Sequence, residues 1–139
     1  MAVRGPAGAG GFVRFVCGVF ETRETLAAHT VDADGLLIHA EVRVGDSTIM
    51  LCDSKPHWPF TPASLQVYVS DVVAVVERAR SRGAEVFTEP TAFHGGQRLA
   101  RVRDPWHNLW WLFEYGANST ARAPRGADVS GWGWETFHG

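Results

Sequence analysis

The fold is decided by residues 64–114, which read SLQVYVSDVVAVVERARSRGAEVFTEPTAFHGGQRLARVRDPWHNLWWLFE. Residues 64–69 predict a strand, and Asp71 stands where a residue that caps a helix is expected. Gly83 is typical of the residue just past the end of a helix. Between these two residues the apolar positions recur at helical spacing: Val72, Val75, Val76 and Ala79.

The second part of this stretch predicts three more strands. The shortest covers 84–87, and the other two, 98–103 and 109–114, follow a loop through Gly95-Gly96. An Asp-Pro turn at Asp104 separates the last two strands. The whole stretch therefore predicts a βαβββ order.

Residues 12–52 give a similar order without a leading strand. Apolar spacing and turn residues predict one helix and three strands, at 12–20, 24–31, 36–44 and 47–52. Gly18 weakens the predicted helix. Residues 1–11 are rich in Gly and contain Pro6, which is a poor pattern for a strand. We expect them to be mobile, and the first strand of this half to be missing or supplied by another segment.

The chain thus divides into five predicted segments: a flexible N-terminus (1–11), a first module (12–52), a Pro-rich linker (53–63), a second module (64–114) and a C-terminal tail (115–139). The linker contains three prolines, which disfavour regular structure. The tail ends in an aromatic sequence that we expect to dock on the core or on a partner chain, because exposed aromatic side chains carry a solvation cost.

The composition is that of an ordinary globular protein. Of 139 residues, 45% are hydrophobic and 20% are charged, and the net charge of −2 gives no field that favours nucleic acid or an anionic membrane. No apolar run reaches the roughly 20 residues that span a bilayer. Two cysteines in apolar segments, Cys17 and Cys52, favour reduced thiols and a cytoplasmic location over a disulfide framework.

Four stretches, in this order, resemble the vicinal oxygen chelate superfamily, which includes glyoxalases, dioxygenases and bleomycin-resistance proteins. They are His39-Ala40-Glu41-Val42-Arg43-Val44-Gly45-Asp46-Ser47, Ile49-Met50-Leu51, Ser64-Leu65-Gln66-Val67-Tyr68-Val69-Ser70-Asp71-Val72 and Arg101-Val102-Arg103-Asp104-Pro105. The resemblance covers about residues 12–114 and is strongest to the PhnB-like and bleomycin-resistance-like branch. It implies an α+β fold of two βαβββ modules, whose curved mixed sheet encloses a cavity, and a homodimer.

In metal-dependent members of that family, one ligand opens the first strand of the second module and another lies in its last strand. Counting from Asp71 and Asp104, those positions are Ser64 and Trp111 in this chain. Neither residue is a plausible ligand for a divalent ion. We therefore expect no metal site of that kind and no cofactor. Glu114 lies nearby but has the opposite parity to Trp111, and His107 stands where the family commonly has a turn Gly.

The resemblance places the predicted cavity on particular strand faces. Strand alternation puts Ser64, Gln66 and Tyr68 on one face and Trp111 and Phe113 on another. Trp58 and Phe60 of the linker are candidates for the rim. His39 and Glu41 share a face and either line the cavity or form a polar sheet surface. For Trp111 a role in the cavity and a role in core packing remain open, whereas Trp110 is predicted to be core.

The resemblance and the lost ligands therefore imply a metal-free protein that binds a small, largely apolar or aromatic molecule, and one role it implies is sequestering an antibiotic or another natural product. An indole at the centre of the cavity would favour flat or cationic molecules. The alternative is a metal-dependent lyase, isomerase or dioxygenase-like enzyme with an unconventional site built around His39 and Glu41, together with Glu114 or a residue of the partner chain. A third possibility is a scaffold protein that uses the aromatic tail as a contact surface.

Overall fold

A computed structural model of the protein describes residues 1–92 and 94–115. Within these residues the chain forms two four-stranded sheets and two α-helices. The first module contains β1 (Ala2–Val3), α1 (Gly8–Phe20), β2 (Thr30–Val31), β3 (Leu37–Val44) and β4 (Ser47–Asp53). The second contains β5 (Ser64–Val69), α2 (Val72–Ser81), β6 (Glu85–Ala92), β7 (Arg98–Arg103) and β8 (Leu109–Glu114).

The two sheets have the same topology. Their strand orders are β1-β4-β3-β2 and β5-β8-β7-β6. In each sheet the first strand runs parallel to the last strand of its module, and the other neighbouring strands are antiparallel. The predicted α+β fold of two βαβββ modules is confirmed.

The expectation that the first module lacks its leading strand is wrong. Ala2 and Val3 pair in parallel with Cys52 and Asp53 at the end of β4. A two-residue strand carries no periodicity, and the Gly-rich segment that follows it hides its position in the sequence.

Helix α1 begins one turn before the predicted start at residue 12. Its first residue is Gly8, and Ala7 before it adopts a left-handed conformation and makes no side-chain cap. The Asp53 side chain supplies the missing acceptor, since its Oδ1 lies 2.7 Å from the backbone N of Ala9. Gly11 is required here because a Cβ at this position would lie 2.3 Å from the carbonyl oxygen of Pro6.

The predicted strand at 24–31 is largely wrong. Leu26–Ala28 form a short 3-10 helix, and only Thr30 and Val31 form a strand beside β3. Glu24 makes a single bridge to Val42. The strand β6 is longer than predicted, extending to Ala92.

The remaining elements of the second module follow the sequence pattern. The Asp71 carboxylate accepts a hydrogen bond from the backbone N of Ala74, as expected for an N-cap. Gly83 has a φ of +92° just past α2. His107, predicted to be a turn residue, has a φ of +67°.

Helix α1 packs across both modules. Phe12 and Phe15 contact the Trp106 ring at centroid distances of 5.7 and 5.5 Å, and Phe20 lies 5.1 Å from the Trp110 ring. Trp110 is 1% exposed, so its predicted place in the core is confirmed. One hydrophobic core therefore includes the helix-facing sides of both sheets.

The turn between β7 and β8 is organised by the buried carboxylate of Asp104. Its oxygens accept hydrogen bonds from the backbone N–H groups of Trp106 and Asn108, from the Asn108 amide and from the Trp110 indole at 2.8–3.3 Å. Asn108 in turn accepts a hydrogen bond from the backbone N of Ala63. Burial raises the pKa of Asp104 above its ordinary value of 3.8, although the bonds from Trp110, Asn108 and Trp106 act in the opposite direction.

Neither helix in residues 1–92 and 94–115 is long and apolar enough to cross a bilayer. Cys17 and Cys52 are free thiols. The docking predicted for the aromatic tail concerns residues beyond 115 and lies outside the described part of the chain.

Candidate functional site

The side of the second sheet that points away from the helices carries three rows of side chains, each row crossing β5, β8 and β7. The register of the strands aligns Tyr68 with Phe113 and Leu99, Gln66 with Trp111 and Arg101, and Ser64 with Leu109 and Arg103. We call these nine residues the aromatic face. Because side chains alternate along a strand, their neighbours Trp110, Leu112, Ala100 and Val102 point to the core instead.

The first row is a small apolar cluster. The rings of Tyr68 and Phe113 stack with centroids 5.7 Å apart and an interplanar angle of 30°. Leu99 and Phe113 are buried, at 3% and 6% exposure. The row thus provides an ordered aromatic floor beside the half-buried indole of Trp111.

The aromatic face contains both positions that hold metal ligands in the family of the resemblance, Trp111 in the middle row and Ser64 in the third row. Here the indole Nε1 of Trp111 donates a hydrogen bond to Ser64 Oγ at 3.0 Å. Gln66 Nε2 donates to the Tyr68 hydroxyl, also at 3.0 Å. Ser64 and Trp111 are therefore bonded to each other. In the described part of the chain no group of three His, Cys, Asp or Glu residues is arranged to hold a metal ion.

Arg101 completes the middle row. Its guanidinium carbon lies 5.2 Å from the centroid of the Trp111 ring, a distance at which a cation interacts with the π face. Its Nε donates to Thr88 Oγ1 of β6 at 2.9 Å. Sequence reasoning did not find Arg101, although it lies at a position that alternates with Leu99 and Arg103. The contact of Arg101 with Trp111 depends on the register between β7 and β8, which the sequence does not define.

His39 and Glu41 lie on β3 in the other sheet. The His39 Nε2 is 3.4 Å from Glu41 Oε1, and both side chains are partly exposed. They share a sheet face with the exposed Arg43. This pair is a polar row on the first sheet, as one of the two interpretations expected.

The two linker aromatics make contacts at other places. Trp58 lies against Lys55, whose Nζ is 5.3 Å from its ring centroid. Lys55 also pairs with Asp32, and this hydrogen bond lowers the pKa of the Asp32 carboxyl. The Phe60 ring contacts His107 at 6.1 Å and the Arg4 guanidinium at 5.8 Å. The ring contacts of Trp58 and Phe60 are thus with the linker, the N-terminal segment and the β7–β8 turn.

A cavity of about 530 Å³ opens along the edge of β5. The turn between β3 and β4, together with the strand ends beside it (residues 44–49), forms one wall, and residues 65–68 with Trp110 form the other. Gln66 and Tyr68 border this cavity and also belong to the aromatic face. The contribution of the β3–β4 turn was not predicted, since it depends on how the two sheets pack.

Glu114 has a structural role at the end of β8. Its Oε2 accepts a hydrogen bond from the backbone N of Val72, the first residue of α2, at 3.1 Å. Arg98 binds both oxygens, at 3.2 and 3.1 Å, and this interaction raises the pKa of Arg98. The predicted parity is confirmed, because Glu114 points to the helix side of the sheet.

Comparisons with known proteins agree with this architecture. Residues 12–112 match the family described as the Glyoxalase/Bleomycin resistance protein/Dioxygenase superfamily. An uncharacterized protein of Mycobacterium tuberculosis is 36% identical over 90 residues, which are 57% of this chain and 53% of that protein. A Mycobacterium bovis protein matches with the same identity, and 59% of its length is covered. The chain thus spans between a half and two thirds of these relatives.

Solved structures show the same fold at low sequence identity. TioX from Micromonospora sp. ML1 superimposes with a TM-score of 0.61 at 24% identity, covering 86% of this chain and 98% of TioX. TnmS3 of Streptomyces sp. CB03234, described as an antibiotic binding protein, gives 0.59 at 20% identity, covering 82% and 91%. The fosfomycin resistance protein FosX of Mesorhizobium loti gives 0.57 at 16% identity, covering 83% and 86%.

Proposed function

Because this chain belongs to the glyoxalase/bleomycin resistance protein/dioxygenase superfamily, we propose that it is a metal-free binding protein for a flat aromatic or apolar natural product, such as an antibiotic. The observation that carries the proposal is the hydrogen bond between Trp111 and Ser64. Where metal-dependent relatives hold an ion, this protein has an indole that is fixed by a hydroxyl group.

The side chains of the aromatic face are held in place by their own contacts before any ligand binds. An aromatic pair contributes about 0.5–1.5 kcal/mol beyond the burial of its area when the rings stack. Tyr68 and Phe113 are already stacked, and Trp111 is fixed by Ser64 and Arg101. A ligand that stacks on such a surface orders few side chains when it binds, so less of the interaction energy is lost to conformational entropy.

The descriptions of two solved relatives support an antibiotic as the ligand. TnmS3 is described as an antibiotic binding protein and FosX as a fosfomycin resistance protein. By the same analogy we propose a place in the PhnB-like and bleomycin-resistance-like branch, a homodimeric state, a cytoplasmic location and no role for nucleic acid or membrane partners. Sequestration of the ligand is the simplest function of a binding protein of this kind.

The alternative metal enzyme needs a third ligand beside His39 and Glu41, either Glu114 or a residue of a partner chain. Both carboxylate oxygens of Glu114 are engaged by Arg98 and by the N-terminus of α2. Releasing them would remove a helix cap and an ion pair together, so the geometry disfavours Glu114 as that ligand.

Isothermal titration calorimetry with a panel of polycyclic aromatic natural products tests the proposal. We expect a saturable site, and we expect Trp111→Ala to weaken the affinity about ten-fold or more. Trp111→Phe keeps a ring without the indole donor and should retain most of the affinity. Trp58→Ala is the matched control, because Trp58 contacts Lys55 and should leave binding unchanged.

Two results would contradict the proposal. The first is a panel that gives no saturable binding to a folded protein. The second is an affinity that Trp111→Ala and Trp58→Ala reduce equally. Binding that disappears after treatment with a chelator and returns with a divalent ion would favour the metal enzyme instead.

A further inference from the structure

The three arginines of β7 differ in their charge partners. Arg98 pairs with Glu114 across the sheet at 3.1 Å, and Arg103 pairs with Glu85 at 2.8 Å. Arg101 lies between them, and its hydrogen-bond partner is the neutral hydroxyl of Thr88. Among residues 1–92 and 94–115 no carboxylate forms an ion pair with Arg101.

The position of this guanidinium is fixed by contacts on two sides. Thr88 Oγ1 accepts the hydrogen bond of Nε, and the guanidinium carbon lies over the Trp111 ring. The two terminal NH₂ groups of an arginine carry four further N–H donors in a planar fork. Arg101 is half-buried, so its charge acts in a medium of lower effective dielectric constant than water.

We propose that the molecule bound on the aromatic face carries an anionic oxygen group, such as a carboxylate, that pairs with Arg101. This inference rests on the proposed function and narrows its ligand class from flat aromatic molecules to flat aromatic anions. A cationic ligand on the same face would meet a fixed positive charge beside Trp111 and would be disfavoured. Arg101 is therefore a residue that determines specificity, while the rings provide stacking.

The guanidinium groups of Arg98 and Arg103 are paired with carboxylates, whereas that of Arg101 is bonded to a hydroxyl group. A bidentate guanidinium–carboxylate contact is about twice as strong as a neutral hydrogen bond. In Arg98 and Arg103 that capacity is used within the fold. In Arg101 it is available to a ligand that has the complementary group next to its ring system.

Three tricyclic probes of nearly equal shape test the inference at mildly alkaline pH: acridine-9-carboxylate (anionic), acridine (neutral) and 9-aminoacridine (cationic). We expect the wild-type protein to bind the carboxylate about ten-fold more tightly than acridine, as one charge-assisted contact predicts. The cation should bind most weakly. The preference should decrease as the salt concentration rises.

Variants at two arginines of β7 assign the preference. Arg101→Gln should bring the affinities for the carboxylate and acridine within about two-fold of each other, without lowering the affinity for acridine more than about two-fold. Arg101→Lys should keep part of the preference because it keeps the charge. Arg98→Gln is the control on the same strand, because Arg98 lies on the opposite face of β7 beside Glu114, and this variant should behave like the wild type.

The outcomes separate this inference from the proposed function. Equal binding of all three probes by the wild-type protein overturns the inference and leaves the binding function intact. A preference for the carboxylate that persists in Arg101→Gln also overturns it, because the charge then comes from another residue. An equal loss of affinity for all probes in Arg101→Gln assigns Arg101 to packing only. Failure of every probe to bind contradicts both proposals.

Discussion

Asp104 is a buried carboxylate whose hydrogen-bond partners all come from its own turn and from the strand that follows it. The backbone of Trp106, the backbone and side chain of Asn108 and the indole of Trp110 all donate to it. Substitution by Asn keeps the shape but replaces one oxygen with an NH₂ group, which faces donors instead of accepting from them. The role of this residue is therefore to terminate β7 and to fix the register of β8.

We expect Asp104→Asn to lower the free energy of unfolding by about 2–4 kcal/mol, because buried donors lose an acceptor. Urea denaturation followed by circular dichroism measures the change. Asp34→Asn is the control, since Asp34 is exposed in the turn before β3 and its substitution should change stability by about 0.5 kcal/mol or less. Equal stability of the two variants would show that the bonds to Asp104 contribute little.

The same residue gives the stability a pH dependence of known sign. Burial raises the pKa of Asp104 above 3.8, so the folded state binds its proton more tightly than the unfolded chain does. The stabilising contribution of this group is full below the unfolded value of 3.8 and is lost as the pH rises through the folded pKa. The difference in unfolding free energy between the wild-type protein and Asp104→Asn should therefore decrease from pH 3.8 upward. A difference that increases with pH would contradict the direction of the shift.

Single residues were predictable where their role is local. Asp71 and Gly83 were recognised as helix-end residues because an N-cap and a C′ residue act within one turn. Arg101 and Asp53 were not recognised, because each acts on a residue that the fold brings from far away in the sequence. The assignment of Ser64 and Trp111 to one site came from the family resemblance and not from any local signal.

The two helices share a capping device that relates the modules at the scale of elements. In each module the first and last strands run parallel, and the last two residues that pair between them are a valine and an acidic residue. These pairs are Val3 with Asp53 and Val69 with Glu114. Both acids accept a hydrogen bond from the first turn of the helix that follows the valine. This is a residue-level trace of the repeat that the sequence pattern alone does not reveal, because the paired residues are about 45–50 positions apart.

Asp53 caps α1 and Asp71 caps α2, and we expect the Asp53 cap to contribute more to the free energy of unfolding. Its Oδ1 binds Ala9 and its Oδ2 binds the backbone N of Leu37 at 2.8 Å, whereas Asp71 accepts one exposed bond. We expect Asp53→Ala to cost about 2 kcal/mol of stability and Asp71→Ala about 1 kcal/mol. Asp53→Asn keeps one acceptor and should fall between these values. Thermal denaturation of the three variants is the test, and a reversed order would assign the capping of α1 to another group.

Most of the longer strands were predictable from the sequence. The strands β3, β5 and β8 were predicted within one residue of their ends, whereas β6 continues to Ala92 and was predicted to end at residue 87. The two-residue strand β1 was missed, and β2 was predicted too long, at 24–31, because so short a segment shows no alternation. The start of α1 was missed because glycines hide it. Gly18 was read as a weakness of α1, and in the structure the Arg82 guanidinium lies over it, because a Cβ there would be 2.2 Å from the Nε of Arg82.

At the scale of the whole molecule, α1 joins the two modules into one folding unit. Phe12 contacts Trp106 and Trp110 of the second module, and it is fully buried. Arg78 of α2 donates from Nε to the carbonyl of Val19 near the end of α1 at 2.7 Å. A core shared in this way makes separate unfolding of either module costly, since each would expose the apolar side of the other.

We therefore expect a single cooperative unfolding transition. In a Cys17→Ser background, the labelling of Cys52, which is 6% exposed on β4, reports on the first module. Tryptophan emission reports on the exposure of Trp106 and Trp110 in the second module.

The two probes should give the same urea midpoint. Phe12→Ala should lower both midpoints together, with a loss of about 3–5 kcal/mol in the free energy of unfolding. Phe12→Leu should give a smaller shift, and Phe87→Ala, at a 41% exposed ring, should cost about 1 kcal/mol or less. Two separate midpoints, or a shift in only one probe, would mean that the modules unfold independently, and the ligand would then have to be assigned to one module alone.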